Sequence, residues 1–122
     1  MSNILRMACL AACLILTVSA SADAYIKREM RATWMTTYLS LDWPSQKGTS
    51  ATIIQAQKQE AITYLDELKK TNINTVLFQI RPSCDPFYKS SYEPWSKYLT
   101  GTRGKDPGWD PLQFWIEESH KR

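Results

Sequence analysis

The sequence predicts an α/β protein built around a parallel sheet, and three observations support this class. Residues 30–38 are rich in β-branched and aromatic side chains and predict a strand. An amphipathic helix follows, and residues 75–80 then form a nearly continuous apolar run. A strand covered on both faces lacks the alternation of an antiparallel strand, so this run is typical of a parallel sheet. The pattern predicts one right-handed βαβ unit.

The first predicted helix extends to about Lys70 and carries one apolar face. Thr49, Ser50 or Thr52 can cap its first turn, and Asn72 is suited to the left-handed conformation that ends a helix. The residues that share the apolar face at helical spacing are Ile54, Ala61, Ile62, Leu65 and Leu68.

A second helix is predicted after the long loop formed by residues 82–109. Asp110 is placed as its N-cap, Pro111 as its first residue and Gln113 at the capping-box position. The side chains expected on its inner face are Leu112, Trp115 and Ile116.

Two parallel strands and two helices bury too little surface to form an independently stable sheet. We therefore expect residues 25–122 to be the N-terminal part of a larger β/α protein. The alternative is a complete miniature βαβα domain.

The N-terminus has the pattern of a secretory signal peptide over residues 1–24. Arg6 precedes an apolar stretch at residues 7–18, and small residues with cleavage-site spacing follow up to Ala24. The apolar stretch is too short to span a bilayer, so export to the periplasm or the extracellular space is expected. The alternatives are an uncleaved anchor and a lipoprotein with its lipid on Cys13.

Charge and cysteine content exclude several classes of function. With 15 Lys and Arg against 12 Asp and Glu the net charge is +3, and no basic block suggests a nucleic-acid surface. Cys84 is the one cysteine after the signal region, and His120 is the only histidine, so neither a Cys–His nucleophile nor a zinc site is expected. No phosphate-binding glycine motif is present. We expect no metal and no cofactor.

Polar side chains follow the second strand where it ends. Gln79 and Arg81 alternate onto the same face as Leu77. Ligands bind outside the carboxyl ends of parallel strands in barrels and in open sheets alike, so Gln79 and Arg81 are candidate binding residues. A structural ion pair is the alternative role for Arg81. The opposite, helix-covered face is expected to carry Val76, Phe78 and Ile80.

Aromatic residues gather at the same end of the sheet. Trp34 and Tyr38 share a face of the first strand, and Asp42 and Trp43 follow in the loop. Aromatic faces beside carboxylates suit sugars, because the ring packs on C–H groups while polar atoms bind hydroxyls. Packing of the loop is the alternative, and it is the favoured role for two further tryptophans, Trp95 and Trp109.

Asp85 is the best-placed carboxylate, shortly after Arg81. In glycoside hydrolysis it would need a second carboxylate about 5–10 Å away. Asp42 is the only other acid at this end outside the late loop. An Asx turn ahead of Pro86 is the favoured alternative role for Asp85.

Four segments resemble the glycosyl hydrolase-like family 10: RATWMTT at residues 31–37, LDWP at 41–44, FQIRP at 78–82 and EPWSKYLTG at 93–101. The resemblance extends over about residues 29–122. The family comprises exported bacterial proteins with a TIM-barrel domain, related to a divisome-localised glycosyl hydrolase that acts on peptidoglycan glycan strands. The family commonly has a small residue where Pro86 stands, so the path of the loop there is not implied.

The resemblance implies that residues 25–122 are the first two β/α units of a TIM (β/α)8 barrel. Catalytic carboxylates would then come from later strands, downstream of residue 122. The implied partner is peptidoglycan glycan or another polysaccharide, with membrane contact only through the signal peptide or a lipid. The alternatives are a non-catalytic glycan-binding protein and an inactive gene fragment. The expected substrate-binding residues are Gln79, Arg81, Asp85, Trp34, Tyr38, Asp42 and Trp43.

Overall fold

The computed structural model describes residues 29–122. They contain two short parallel strands and three helices, joined by long loops. The predicted signal peptide and Cys13 lie outside the described residues. The elements are β1 (Ala32–Met35), a 3-10 turn (Tyr38–Ser40), α1 (Ala51–Lys70), β2 (Thr75–Phe78), α2 (Lys97–Thr100) and α3 (Pro111–His120).

The strands pair in parallel, with Ala32 opposite Thr75 and Met35 opposite Phe78. The predicted mixed α/β class with a parallel strand–helix–strand unit is confirmed. Both strands are shorter than the predicted spans, 30–38 and 75–80. After β1 the Thr36 amide donates to the Asp42 carboxylate at 2.6 Å, so the backbone turns away instead of extending the ladder.

Helix α1 begins and ends as its sequence predicts. The Ser50 hydroxyl accepts a hydrogen bond from the Ile53 amide at 3.3 Å, and Asn72 adopts the left-handed conformation with φ 60°. Ala61 and Leu65 are buried on the predicted apolar face. Gln57 is also fully buried, which the apolar pattern did not predict.

Helix α3 has the predicted cap, but its capping box does not close. The Asp110 carboxylate accepts from the Gln113 amide at 2.9 Å, and Pro111 occupies the first turn. The Gln113 side chain donates instead to Glu117, one turn further on, at 2.6 Å. Of the expected inner-face residues, Trp115 is buried, Leu112 is half-buried and Ile116 is exposed.

The core lies on one face of the sheet, under α1 and α3. Trp43 is at its centre: its ring centroid lies 5.5–6.3 Å from the rings that surround it. Aromatic pairs at these separations gain energy beyond their burial. The surrounding rings belong to Phe78, Phe87, Trp109 and Trp115. The other buried apolar residues are Met35, Ala61, Leu65, Tyr98 and Leu99.

The second face of the sheet is open to solvent. Trp34 and Leu77 lie opposite each other in the register and are 59% and 47% exposed. No helix within residues 29–122 is long and apolar enough to cross a membrane.

Candidate functional site

The carboxyl ends of β1 and β2 lie side by side and are joined by the Gln79 side chain. Its amide oxygen accepts hydrogen bonds from the backbone N–H groups of Thr37, at 3.0 Å, and Tyr38, at 3.1 Å. The Thr37 hydroxyl in turn donates to the Gln79 backbone carbonyl at 2.6 Å. Gln79 therefore lies at the carboxyl end of β2, and its side chain fixes the backbone that leaves β1.

We call the side chains at this end the strand-end surface, defined as Trp34, Tyr38, Gln79 and Arg81. Trp34 is the most exposed of the three aromatic side chains predicted to bind sugar, and Tyr38 is 42% exposed. The Tyr38 ring meets Tyr98 edge to face, with 5.5 Å between centroids. Because Tyr98 is buried, this contact anchors the Tyr38 ring at the surface.

Arg81 makes a two-point ion pair with Glu93 in the long loop. Nε donates to the Glu93 carboxylate at 2.7 Å, and Nη2 donates to its other oxygen. This hydrogen-bonded pairing raises the pKa of the Arg81 guanidinium and lowers the pKa of the Glu93 carboxyl. The structural ion pair weighed as an alternative is therefore present, with a loop acid as the partner. About half of the Arg81 side chain remains exposed.

The prediction that Trp43 lines the ligand surface is wrong. Its side chain is fully buried, and its indole N–H donates to the backbone carbonyl of Gln57 at 3.0 Å. The loop after β1 turns back over the helix-covered face of the sheet. Burying a large aromatic ring whose polar atom finds a partner is favourable, so Trp43 joins the core.

Asp42 and Asp85 both hold loop backbone. Asp42 is half-buried and accepts from the Thr36 amide, as described above. Asp85 is 2% exposed and accepts from the Ser83 amide at 3.1 Å, two residues before it rather than after it. The predicted Asx turn, in which the Asp85 carboxylate would accept from a residue after it, is therefore not formed. The carboxylate accepts instead from Ser83, which precedes it. In this arrangement Asp85 is not open to a ligand.

Gln57 is a structural residue of the site that the sequence analysis missed. Its side-chain NH2 donates to the backbone carbonyls of Gln46, at 2.8 Å, and Leu99, at 3.0 Å. It thereby ties the loop after β1 and the loop after β2 to the same turn of α1. The available signal was a polar residue at helical spacing from Ala61 and Leu65, on an otherwise apolar face.

Glu93, the partner of Arg81, was also missed, because nothing in the spacing links a loop acid to a strand-end arginine. The packing role predicted for Trp95 and Trp109 is confirmed, since both lie partly buried against the core.

Within residues 29–122, no cluster of His, Cys, Asp and Glu side chains could hold a metal ion. The strand-end surface thus offers aromatic faces and hydrogen-bond donors, which suit binding of a neutral polar ligand.

The chain is similar to known proteins of one family. Residues 29–122 match the family described as Glycosyl hydrolase-like 10. The chain is 52% identical to "Glycosyl hydrolase YngK" of Bacillus subtilis (strain 168) over 108 residues, which is 88% of this chain and 21% of that protein. It is 40% identical to "Glycosyl hydrolase DigH" of Escherichia coli (strain K12) over 97 residues, or 76% of this chain and 22% of that protein.

The chain therefore spans about a fifth of the length of these curated relatives. The family match covers all of the residues that the structure describes. This chain belongs to the glycosyl hydrolase-like 10 family.

Proposed function

We propose that residues 25–122 are the first two β/α units of a TIM (β/α)8 barrel in an exported glycoside hydrolase that acts on peptidoglycan glycan or a related polysaccharide. A barrel strand has one face toward the surrounding helices and one toward the barrel interior. The two-layer arrangement supports this, because α1 and α3 cover one face of the sheet and leave the other open. Export to the periplasm or the extracellular space, with or without a lipid on Cys13, belongs to the same proposal.

The observation that carries the proposal is the strand-end surface at the carboxyl ends of β1 and β2. In TIM-barrel enzymes, this end of the strands carries the active site. The exposed Trp34 and Tyr38 rings can pack on the C–H faces of a sugar, while Gln79 and Arg81 donate hydrogen bonds to its oxygens. The proposed role of these residues is to bind and orient the glycan.

The catalytic carboxylate pair is assigned to later strands, downstream of residue 122. Glycoside hydrolysis requires one carboxyl group as an acid and a second as a base or nucleophile. The acids nearest the strand ends hold the fold instead: Asp42 and Asp85 accept from backbone amides, and Glu93 pairs with Arg81. Bond cleavage would therefore depend on residues beyond those described.

The test uses the longest in-frame gene product that contains residues 29–122, incubated with purified peptidoglycan glycan strands. New reducing ends, with shorter fragments by mass spectrometry, would support a hydrolase. Arg81→Ala is expected to lower turnover while leaving the melting temperature nearly unchanged, because exposed ion pairs stabilise little. Lys105→Ala, an exposed loop cation, is the matched control. A protein that neither cleaves nor binds the glycan would overturn the proposal.

A non-catalytic glycan-binding protein is the second candidate. The observation that favours it is that Asp42, Asp85 and Glu93 are each engaged in holding the loops. Cosedimentation of the protein with insoluble peptidoglycan, without release of reducing ends, would select this function over hydrolysis.

A further inference from the structure

The hydrogen bonds around Gln79 fix which way its side-chain amide faces. A Gln side chain carries one acceptor oxygen and one donor NH2, and the two ends are assigned from the surrounding network. Here two backbone N–H groups, from Thr37 and Tyr38, point at one end of the amide. A rotation by half a turn would set the NH2 group against two donors. The oxygen therefore faces the backbone, and the NH2 group faces away from it.

The outward NH2 group finds no acceptor among residues 29–122, although the same side chain makes two hydrogen bonds through its oxygen. Within the same residues this NH2 group is not among the fully buried side-chain atoms that lack a partner, so it keeps some contact with solvent. Gln79 is half-buried, and its backbone carbonyl is held by the Thr37 hydroxyl. The site therefore presents a donor whose polarity and direction are set before a ligand arrives.

A donor of fixed polarity selects among the groups that a glycan carries. A hydroxyl group can rotate to donate or accept, so it would bind either end of an amide equally well. The carbonyl oxygen of an N-acetyl group only accepts, whereas the ammonium of a de-N-acetylated amino sugar only donates. A fixed NH2 group can bind the N-acetyl carbonyl oxygen. It disfavours the ammonium, because two donors that face each other are both left without an acceptor.

We propose that Gln79 donates a hydrogen bond to the N-acetyl carbonyl oxygen of an amino sugar and thereby selects N-acetylated over de-N-acetylated glycan. This inference rests on the proposed function, since it names the group that the strand-end surface recognises. The backbone contacts of Thr37 and Tyr38 act as the positioning device, because they hold the amide in the donating direction.

Gln79→Glu separates the binding role from the structural role. One carboxylate oxygen can accept from the Thr37 and Tyr38 amides as before, while the other replaces the donating NH2 group with an acceptor. Cosedimentation at 4 °C with insoluble peptidoglycan, native or chemically de-N-acetylated, gives apparent affinities whether or not the protein cleaves it. Gln59→Glu adds the same charge on the exposed surface of α1 and is the matched control.

The wild-type protein is expected to bind native glycan on the order of tenfold more tightly than de-N-acetylated glycan. Gln79→Glu is expected to lose or reverse that preference at an unchanged melting temperature, because its carboxylate repels a carbonyl oxygen and attracts an ammonium. Gln59→Glu is expected to keep the wild-type preference.

Equal wild-type affinity for the two glycans would overturn the inference, and this result is decisive even if Gln79→Glu fails to fold. A folded Gln79→Glu protein that keeps the wild-type preference would overturn it as well. Failure of the wild-type protein to bind either glycan would instead overturn the proposed function.

Discussion

One tryptophan is exposed on the open face of the sheet, and another is buried on the helix-covered face. Trp34 in β1 is 59% exposed on the open face, whereas Trp43 in the following loop is fully buried on the helix-covered face. Both were expected to bind sugar, on the same sequence evidence. The comparison shows that a tryptophan near a strand end has its role decided by the layer it enters. The helix-covered layer forms the core of residues 29–122, and no element within these residues covers the other layer.

The difference has a physical cause in the partners that each ring finds. The Trp43 ring is surrounded by other aromatic rings, and its indole N–H is satisfied by Gln57. Trp34 faces Leu77 across the register, and that neighbour is itself half-exposed. The gain from burial is large for the first ring and small for the second. Substitutions on the two faces should therefore have separable effects on stability and on binding.

Trp43→Ala is expected to have the largest effect on stability. Removing a fully buried tryptophan should lower the free energy of unfolding by about 3–5 kcal/mol, since the aromatic contacts and the Gln57 hydrogen bond are lost together. Denaturant unfolding of the longest gene product measures this loss. A loss below about 1 kcal/mol would show that Trp43 is not the centre of the core.

Gln57→Leu should come next, with a loss of about 2 kcal/mol in the free energy of unfolding. The Gln46 carbonyl would be left without its buried donor, and the Leu99 carbonyl would keep only the Gly48 amide. The same unfolding measurement applies. Gln55→Leu, at an exposed position of the same helix, is the control and should change little. Equal effects of the two substitutions would show that the loops do not depend on Gln57.

Glu93→Gln should lower the free energy of unfolding by a smaller amount that depends on pH, because it removes the charge that pairs with the exposed Arg81. The arginine lowers the pKa of Glu93 below its ordinary value of 4.5 in the folded protein. The stability that the wild-type carboxylate adds is therefore present above pH 4.5 and is lost as the pH falls through the lower folded value.

Unfolding midpoints of the wild-type and Glu93→Gln proteins, followed through the acid range at low salt, should accordingly converge at low pH. A gap that stays constant with pH would mean that the Arg81–Glu93 pair contributes no titrating stability.

Trp34→Ala should have the smallest effect on the stability of residues 29–122, within about 0.5 kcal/mol, because no element of this part of the chain covers the ring. Glycan affinity should nevertheless fall, since an aromatic face is lost from the strand-end surface. Trp34→Phe, which keeps an aromatic face, is expected to retain more of the affinity. If Trp34→Ala unfolds the protein as readily as Trp43→Ala, the distinction between the two faces is wrong.

Local rules predicted most of the regular structure. The Ser50 cap, the left-handed Asn72 and the Asp110–Pro111 helix start depend on a few adjacent residues, and all three are present in the structure. The parallel pairing of the strands followed from the lack of alternation in the second strand, 75–80. Interactions of short range and defined chemistry can be recognised in a single sequence.

Features that depend on distant partners could not be predicted in the same way. The strand lengths depend on Asp42 and Gln79, whose side chains take up backbone groups beyond the strand ends. Burial of Trp43 depends on where the loop after β1 lies over α1. The short helix α2 was also missed, although its Ser96 cap and the left-handed Gly101 that follows it are local signals.

Gln57 has a consequence for any attempt to exchange loops among members of this family. One side chain serves both the loop after β1 and the loop after β2, while its backbone carbonyl holds the Trp43 indole. If only one of the two loops were replaced, Gln57 would still bind the other loop but could lose its hydrogen bond to the new one. The two loops and position 57 should therefore be exchanged together if the loop structure is to be preserved.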